Sequence, residues 1–161
     1  MDAIARAFAR FGAPPADAGP VTSEDLGGVA RETAQLYALG AGIRVEVQAE
    51  TGIHGRVRRD EFKEVLVNLV ENARNAAAHR VTITVEPDAA AGRVDVSVRD
   101  DGRGIAPEDL PRIFEPQFST TTSGTGLGLA ICKRLTESWG GTIAVDSTPG
   151  PGTVVTLSVP A

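Results

Sequence analysis

The sharpest constraint on this chain is a change of period near Ala78. Residues 64–77, EVLVNLVENARNAA, carry apolar side chains at helical spacing. The next two apolar segments, RVTITVEP and RVDVSVRD, read as strands separated by the turn-like DAAAG. A helix of this length followed by paired strands predicts segregated helical and sheet layers. Along the whole chain the patterns give two or three helices and about five strands. That inventory predicts an α+β fold: a two-layer sandwich with helices on one face of a mixed sheet.

In chain order, residues 1–11 have helical spacing and GAPPADAGP (12–20) stops any helix and reads as a linker, so the domain should begin near Val21 and run to residue 161. A helix is expected from about Ser23, a good N-cap, to Leu39. The strand IRVEVQAE follows, then HGRV as a short extended piece. The asparagine-bearing helix is expected from about Asp60 to Ala78. Residues 101–125, rich in Gly, Pro, Ser and Thr, should be mostly loop, followed by a helix from about Gly126 to Trp139. GTIAVDS and GTVVTLSVP, joined by TPGPG, predict a closing hairpin.

Composition excludes several classes of function. The 161 residues suit one domain with a real core. No apolar run of about 20 residues is present, and the start lacks the apolar region of a signal peptide, so the expectation is a soluble cytoplasmic domain without membrane contact. Cys132 and two histidines, His54 and His79, offer no zinc cluster. Cys132 reads as a small core residue and the histidines as surface or structural groups. A formal net charge of −5 with scattered basic residues argues against nucleic acid as a partner.

The helix 60–78 has an odd feature. Asn68, Asn72 and Asn75 fall with Glu64 on one stripe beside Val65, Leu69 and Ala76, although asparagine is a modest helix former. Amides at the edge of a core need partners, because an unpaired one costs about 1–3 kcal/mol. An amide oxygen is also a hard, neutral ligand suited to Mg²⁺ shared with nucleotide phosphates. Alone, the stripe suits a solvated helix edge better than a site.

Two glycine clusters follow. VSVRDDGRGI ends a strand with Asp100 ahead of Gly102 and Gly104. A carboxylate there can accept from an adenine amino group while glycines let the backbone approach the base, and a guanine carbonyl would meet a second acceptor. A plain turn is the alternative. In TTTSGTGLGLAICKRL, Gly124, Gly126 and Gly128 lead into a helix, whose first N–H groups favour an anion, though a hinge would also fit. Neither a Walker A nor a Rossmann pattern is present.

Taken in order, NLVENA, DDGRGI, IFEPQF and GTGLGLAI, with the hairpin GGTIAVDSTPGPGTVVTLSVP, resemble the N, G1, F and G2 boxes of the sensor histidine kinase catalytic domain, a member of the GHKL superfamily. The likeness spans about Val21 to Pro160. It implies a Bergerat-type sandwich binding ATP and Mg²⁺ between the asparagine helix and a lid. By matched position, Asn72 would be the main Mg²⁺ ligand with Asn68 assisting. Asp100 would bind adenine, with Gly102, Gly104 and Ile105 around the base and Thr153 supporting Asp100 through water. Residues 106–123 would form the lid, anchored by Phe114 and Phe118. Gly124, Thr125, Gly126, Leu127, Gly128 and Leu129 would wrap the phosphates, with Asn75 nearby.

The resemblance also has departures. Many members carry basic residues at the place of Asn75 and late in the lid, so here phosphate charge would be met by Mg²⁺ and backbone N–H groups, with Arg74 or Arg112 as further candidates. Related ATPases place a water-activating glutamate where this chain has Asn68, and an amide cannot act as general base. That favours phosphoryl transfer to a protein histidine over hydrolysis, with Glu64 and Glu71 near enough to keep an ATPase open, beside a nucleotide-sensing module without catalysis. Neither histidine matches a phosphoacceptor box. The resemblance therefore implies an acceptor on a separate dimerisation domain, the tail of whose helix residues 1–20 resemble, and a downstream response regulator. The isolated chain would be monomeric and the full-length kinase dimeric.

Overall fold

The computed structural model describes residues 19–40, 42–115, 128–148 and 151–161. The expected dimerisation-helix tail in residues 1–18, Phe118, and Gly124 to Leu127 lie outside the described residues. The described elements are β1 (Thr22–Asp25), α1 (Leu26–Gln35), β2 (Arg44–Ala49), β3 (His54–Val57), α2 (Arg59–Asn75), β4 (Arg80–Asp88), β5 (Arg93–Asp100), α3 (Gly128–Ser138), β6 (Thr142–Thr148) and β7 (Gly152–Pro160). A single 3-10 turn covers Leu110–Arg112.

One expectation from the sequence fails. Ser23 does not cap a helix; it lies in β1, opposite Arg56 of β3, in a small antiparallel sheet. The cap is Asp25, whose carboxylate accepts from the Gly28 N–H at 3.1 Å. The helix also stops at Gln35 rather than Leu39. Beyond it, Leu36 and Leu39 are exposed, and Gly40 and Gly42 take positive φ.

The main sheet has the order β2-β4-β5-β7-β6, with β2 parallel to β4 and the other pairs antiparallel. On one face, register lines up three rungs across all five strands. Ala49, Val85, Val96, Leu157 and Ile143 form one, and Val47, Ile83, Val98, Val155 and Val145 the next. The third reads Val45, Val81, Asp100, Thr153 and Ser147. Since directly opposite residues share a face, these rungs stack on the helix side of the sheet. The apolar rungs pack with Leu26, Val29, Phe62, Leu66, Leu69, Ile131 and Leu135 in one core. Thr82, Thr84, Ser97 and Thr156 occupy the other face, half-buried, which completes a two-layer sandwich.

Helix α2 is the central piece. Phe62 is fully buried and meets Trp139 edge-on at 6.1 Å, and the indole N–H donates to the buried Glu61 carboxylate at 2.9 Å. The helix leaves through a Schellman-type exit: Ala77 and Ala78 donate to the carbonyls of Arg74 and Ala73, each at 3.0 Å. Ala77 stands at φ +62°, the left-handed position that glycine normally fills. Ala77→Gly should therefore stabilise the domain by about 0.5–1 kcal/mol, the strain relieved less the entropy of a freer unfolded chain. A urea midpoint that does not rise would contradict it.

Candidate functional site

The third rung is where the core turns polar. Asp100 ends β5, Thr153 follows at the start of β7 and Ser147 lies near the end of β6. The Asp100 carboxylate is half-buried, and burial pushes its pKa up. Hydrogen bonds from the backbone N–H groups of Gly102, at 2.8 Å, and Thr153 oppose that shift, while neighbouring Asp101 adds to it. The result is a carboxylate held in place by two amides at the rim of an apolar layer.

Glycine is needed around it for steric reasons. A Cβ on Gly102 would stand 2.7 Å from the Ala76 carbonyl and 2.9 Å from Asp100 Oδ1. Gly104 takes φ +76°, so its need is conformational. The exit of α2 reaches this loop directly, because the Ala76 carbonyl also accepts from Arg103 N–H at 3.0 Å. Asp101 ties the loop to the start of β4, its carboxylate accepting from the N–H groups of His79 and Arg80 at 2.8 and 2.9 Å. Those bonds, the one from Arg80 foremost, hold the Asp101 carboxyl below the usual range.

Farther up α2, Asn68 and Asn72 are half-buried, and Asn75, the last helical residue, is exposed. Asn72 faces the first residue of α3: a Cβ on Gly128 would lie 3.3 Å from Asn72 Oδ1. Leu129 is half-buried against the core. Asn68 borders the fully buried Cys132, whose thiol also points at the Val65 carbonyl at 3.8 Å. Burial, with the charge of Glu64 behind it, pushes that thiol's pKa up, and the Asn68 hydrogen bond acts against both. Cys132 is thus a core residue, as expected, and no reactive thiol.

Among the acidic residues considered as a base, Glu71 is engaged elsewhere. Its carboxylate accepts from the Tyr37 hydroxyl beyond α1 at 2.8 Å and pairs with Arg74 at 3.4 Å. Burial and the Glu71 bond push the Tyr37 phenol's pKa up. Arg74 and Arg112, the cations expected to help with phosphate charge, each lie beside a carboxylate, Glu71 and Glu115 respectively. Phe114 is half-buried with the Lys133 ammonium 5.5 Å from its ring centroid. His54 and His79 are exposed.

Sequence reasoning missed Ser147, Gly152 and Asp101. Gly152 sits at φ +104° with no room for a Cβ, and Ser147 bonds the Ile105 N–H at 2.8 Å and the Thr153 hydroxyl at 2.8 Å. The usable signal was the hairpin register, which sets Ser147 opposite Thr153.

Residues 57–161 match the family described as histidine kinase-, DNA gyrase B-, and HSP90-like ATPase. The chain belongs to this ATPase family. Its relatives include the sensor histidine kinase ZraS of Klebsiella oxytoca, 46% identical over 102 residues, which are 63% of this chain and 22% of that protein. The sensor protein IrlS of Burkholderia pseudomallei is 40% identical over 129 residues, 75% of this chain and 27% of that protein. The chain thus spans about a quarter or less of the length of these curated relatives. Among solved structures, the catalytic domain of histidine kinase ThkA superposes with TM-score 0.77 at 32% identity, covering 88% of this chain and 96% of that one. ShkA, solved full-length in complex with AMPPNP, gives 0.82 at 31%, covering 98% of this chain and 34% of that one. The α+β sandwich is therefore that of histidine kinase catalytic domains. Among the described residues, no helix is long and apolar enough to cross a membrane, and no three His, Cys, Asp or Glu side chains are grouped to hold a metal.

Proposed function

We propose that this chain is the ATP-binding catalytic domain of a sensor histidine kinase, donating the γ-phosphoryl group to a histidine on a separate dimerisation domain. One observation carries the reading: a single helix, α2, touches both glycine clusters. Its exit packs on Gly102 and Arg103, and Asn72 faces Gly128. A nucleotide between those contacts would meet Asp100 with its base and Asn72 with its phosphates. Asp100 orients the base as an acceptor, and the bare glycines let the backbone come close. Asn68 and Asn72 suit Mg²⁺ as neutral oxygen donors beside phosphate. The metal would neutralise charge on the phosphate oxygens during transfer.

An amide at Asn68 and an engaged Glu71 weigh against a hydrolase, leaving positioning and charge stabilisation as this domain's contribution. The acceptor histidine would belong to a dimerisation domain, with residues 1–20 leading from it, and a response regulator would take the phosphoryl group onward. In this reading the domain works in the cytoplasm, as a monomer alone and a dimer in the whole kinase.

Calorimetric titration with a non-hydrolysable ATP analogue tests the binding. Association that Mg²⁺ strengthens is expected, with weaker binding remaining in EDTA, and Asn72→Ala should weaken it about tenfold with Mg²⁺ present but little in EDTA, as loss of one charge-assisted contact implies. Equal losses in both conditions would remove Asn72 from the metal. Adding a cognate dimerisation domain in trans should yield phosphohistidine on that partner. Acid-labile phosphate on the isolated chain would overturn the separate-acceptor reading, and brisk ADP release that depends on Glu64 would favour an ATPase.

A further inference from the structure

The hydroxyl of Ser147 touches three polar groups. It lies 2.8 Å from the Ile105 N–H, 3.1 Å from the Gly152 carbonyl and 2.8 Å from the Thr153 hydroxyl. A serine hydroxyl has one proton to donate and two lone pairs to accept with. Ile105 N–H can only donate and the Gly152 carbonyl can only accept. All three contacts are satisfied together by one arrangement of protons: Ser147 donates to Gly152, and Thr153 donates to Ser147. The Thr153 proton is then directed along the sheet, away from Asp100. What Thr153 has left is lone pairs.

Thr153 and Asp100 are direct partners across β7 and β5, on the same face. Thr153 is 8% exposed, so its hydroxyl has little water with which to exchange partners. We propose that Ser147 is a positioning residue that keeps the wall beside Asp100 accept-only, selecting a base edge that carries an amine over one that carries a carbonyl. This rests on the nucleotide reading and deepens it, since selectivity then comes from a rung of three side chains rather than from Asp100 alone. Without the Ser147 hydroxyl, Thr153 regains a free proton. It can turn that proton toward the base and satisfy a carbonyl there, so the penalty against a 6-oxo purine falls. The same hydroxyl pins Ile105, the residue leading out of the Gly102–Gly104 loop.

The test compares ATP with inosine triphosphate, which replaces the amine by a carbonyl, by calorimetry in Mg²⁺ on wild type, Ser147→Ala and Ser147→Thr. Wild type should prefer ATP. Ser147→Ala should narrow the preference about tenfold, the size of one hydrogen bond, while Ser147→Thr, which keeps the hydroxyl, should retain it. Exchange of the Ile105 amide in nucleotide-free protein should quicken about tenfold in Ser147→Ala and not in Ser147→Thr, on the same scale. If Ser147→Ala does not fold, Ser147→Cys, whose thiol is too weak an acceptor to hold the Thr153 proton, should narrow the preference likewise. A preference for ATP that stays unchanged in the alanine variant, with both triphosphates weakened alike, would reduce Ser147 to a structural residue and overturn the assignment alone. Wild type binding neither triphosphate would overturn the nucleotide reading, and the assignment with it.

Discussion

Asp100→Asn should lose ATP binding by about 100-fold while the domain keeps its thermal stability. The size follows from removing a charged acceptor, worth about 1.5–3 kcal/mol to a hydrogen bond, and presenting an amide N–H₂ to an adenine N–H₂ in its place. Stability should hold because the folded environment of Asp100 favours the neutral form. With the folded pKa raised, the carboxyl's contribution to stability is fully present below its unfolded value and is lost as pH rises through the folded value. At neutral pH the charged carboxylate is thus a burden on folding that the asparagine variant lacks. The variant should therefore melt at or above wild type at pH 7, and the gap should close as the pH falls below about 4, near the ordinary aspartate value. Calorimetric titration and thermal melts over that range check both halves. A variant that binds ATP normally would remove Asp100 from the base, and one that unfolds at pH 7 would make it a structural residue.

Gly152→Ala should be the most damaging small substitution in the sheet. The new Cβ would stand 2.0 Å from the Asp100 carbonyl oxygen and 3.2 Å from Asp101 Cα, both backbone atoms that cannot rotate away. The φ of +104° adds strain that no L-residue tolerates well. Overpacking and strain each run to about 1–3 kcal/mol, so a loss of about 3–5 kcal/mol is expected. Gly92→Ala separates the two effects. It has positive φ but nothing within 4 Å of the added Cβ, so about 1 kcal/mol should be lost there. Equal urea midpoints for the two variants would mean that the close approach of β7 to Asp100 is unimportant. Because the clash falls on Asp100 itself, whatever fraction of Gly152→Ala folds should also bind nucleotide poorly.

Much of the architecture was legible because it rests on local period. The spacing in EVLVNLVENARNAA serves a helix with one apolar face, and α2 starts one residue before the expected bound and ends three before it. Strands β4 to β7 follow their alternation for the same reason. The start of α1 was misread because capping propensity is local and strand pairing is not: Ser23 would cap well, but Arg56 lies opposite it in β3. Arg74 and Arg112, named by charge alone, each also lie three residues from a carboxylate, Glu71 and Glu115, a neighbour that charge does not reveal.

The sequence by itself determined the layers, the order of the polar motifs and the amide stripe of Asn68, Asn72 and Asn75 on one helix. These depend on residue type and short spacing, which a chain displays without folding. Tertiary structure decided which groups the motifs would face. Ile105 meets Ser147 across 42 residues, and the exit of α2 meets Gly102 only after β4 and β5 have paired. Burial of Asp100 and the partners within reach of the Ser147 hydroxyl belong to that second kind. A carboxylate's pKa and a hydroxyl's orientation are properties of surroundings, and those surroundings exist only once five strands are in register.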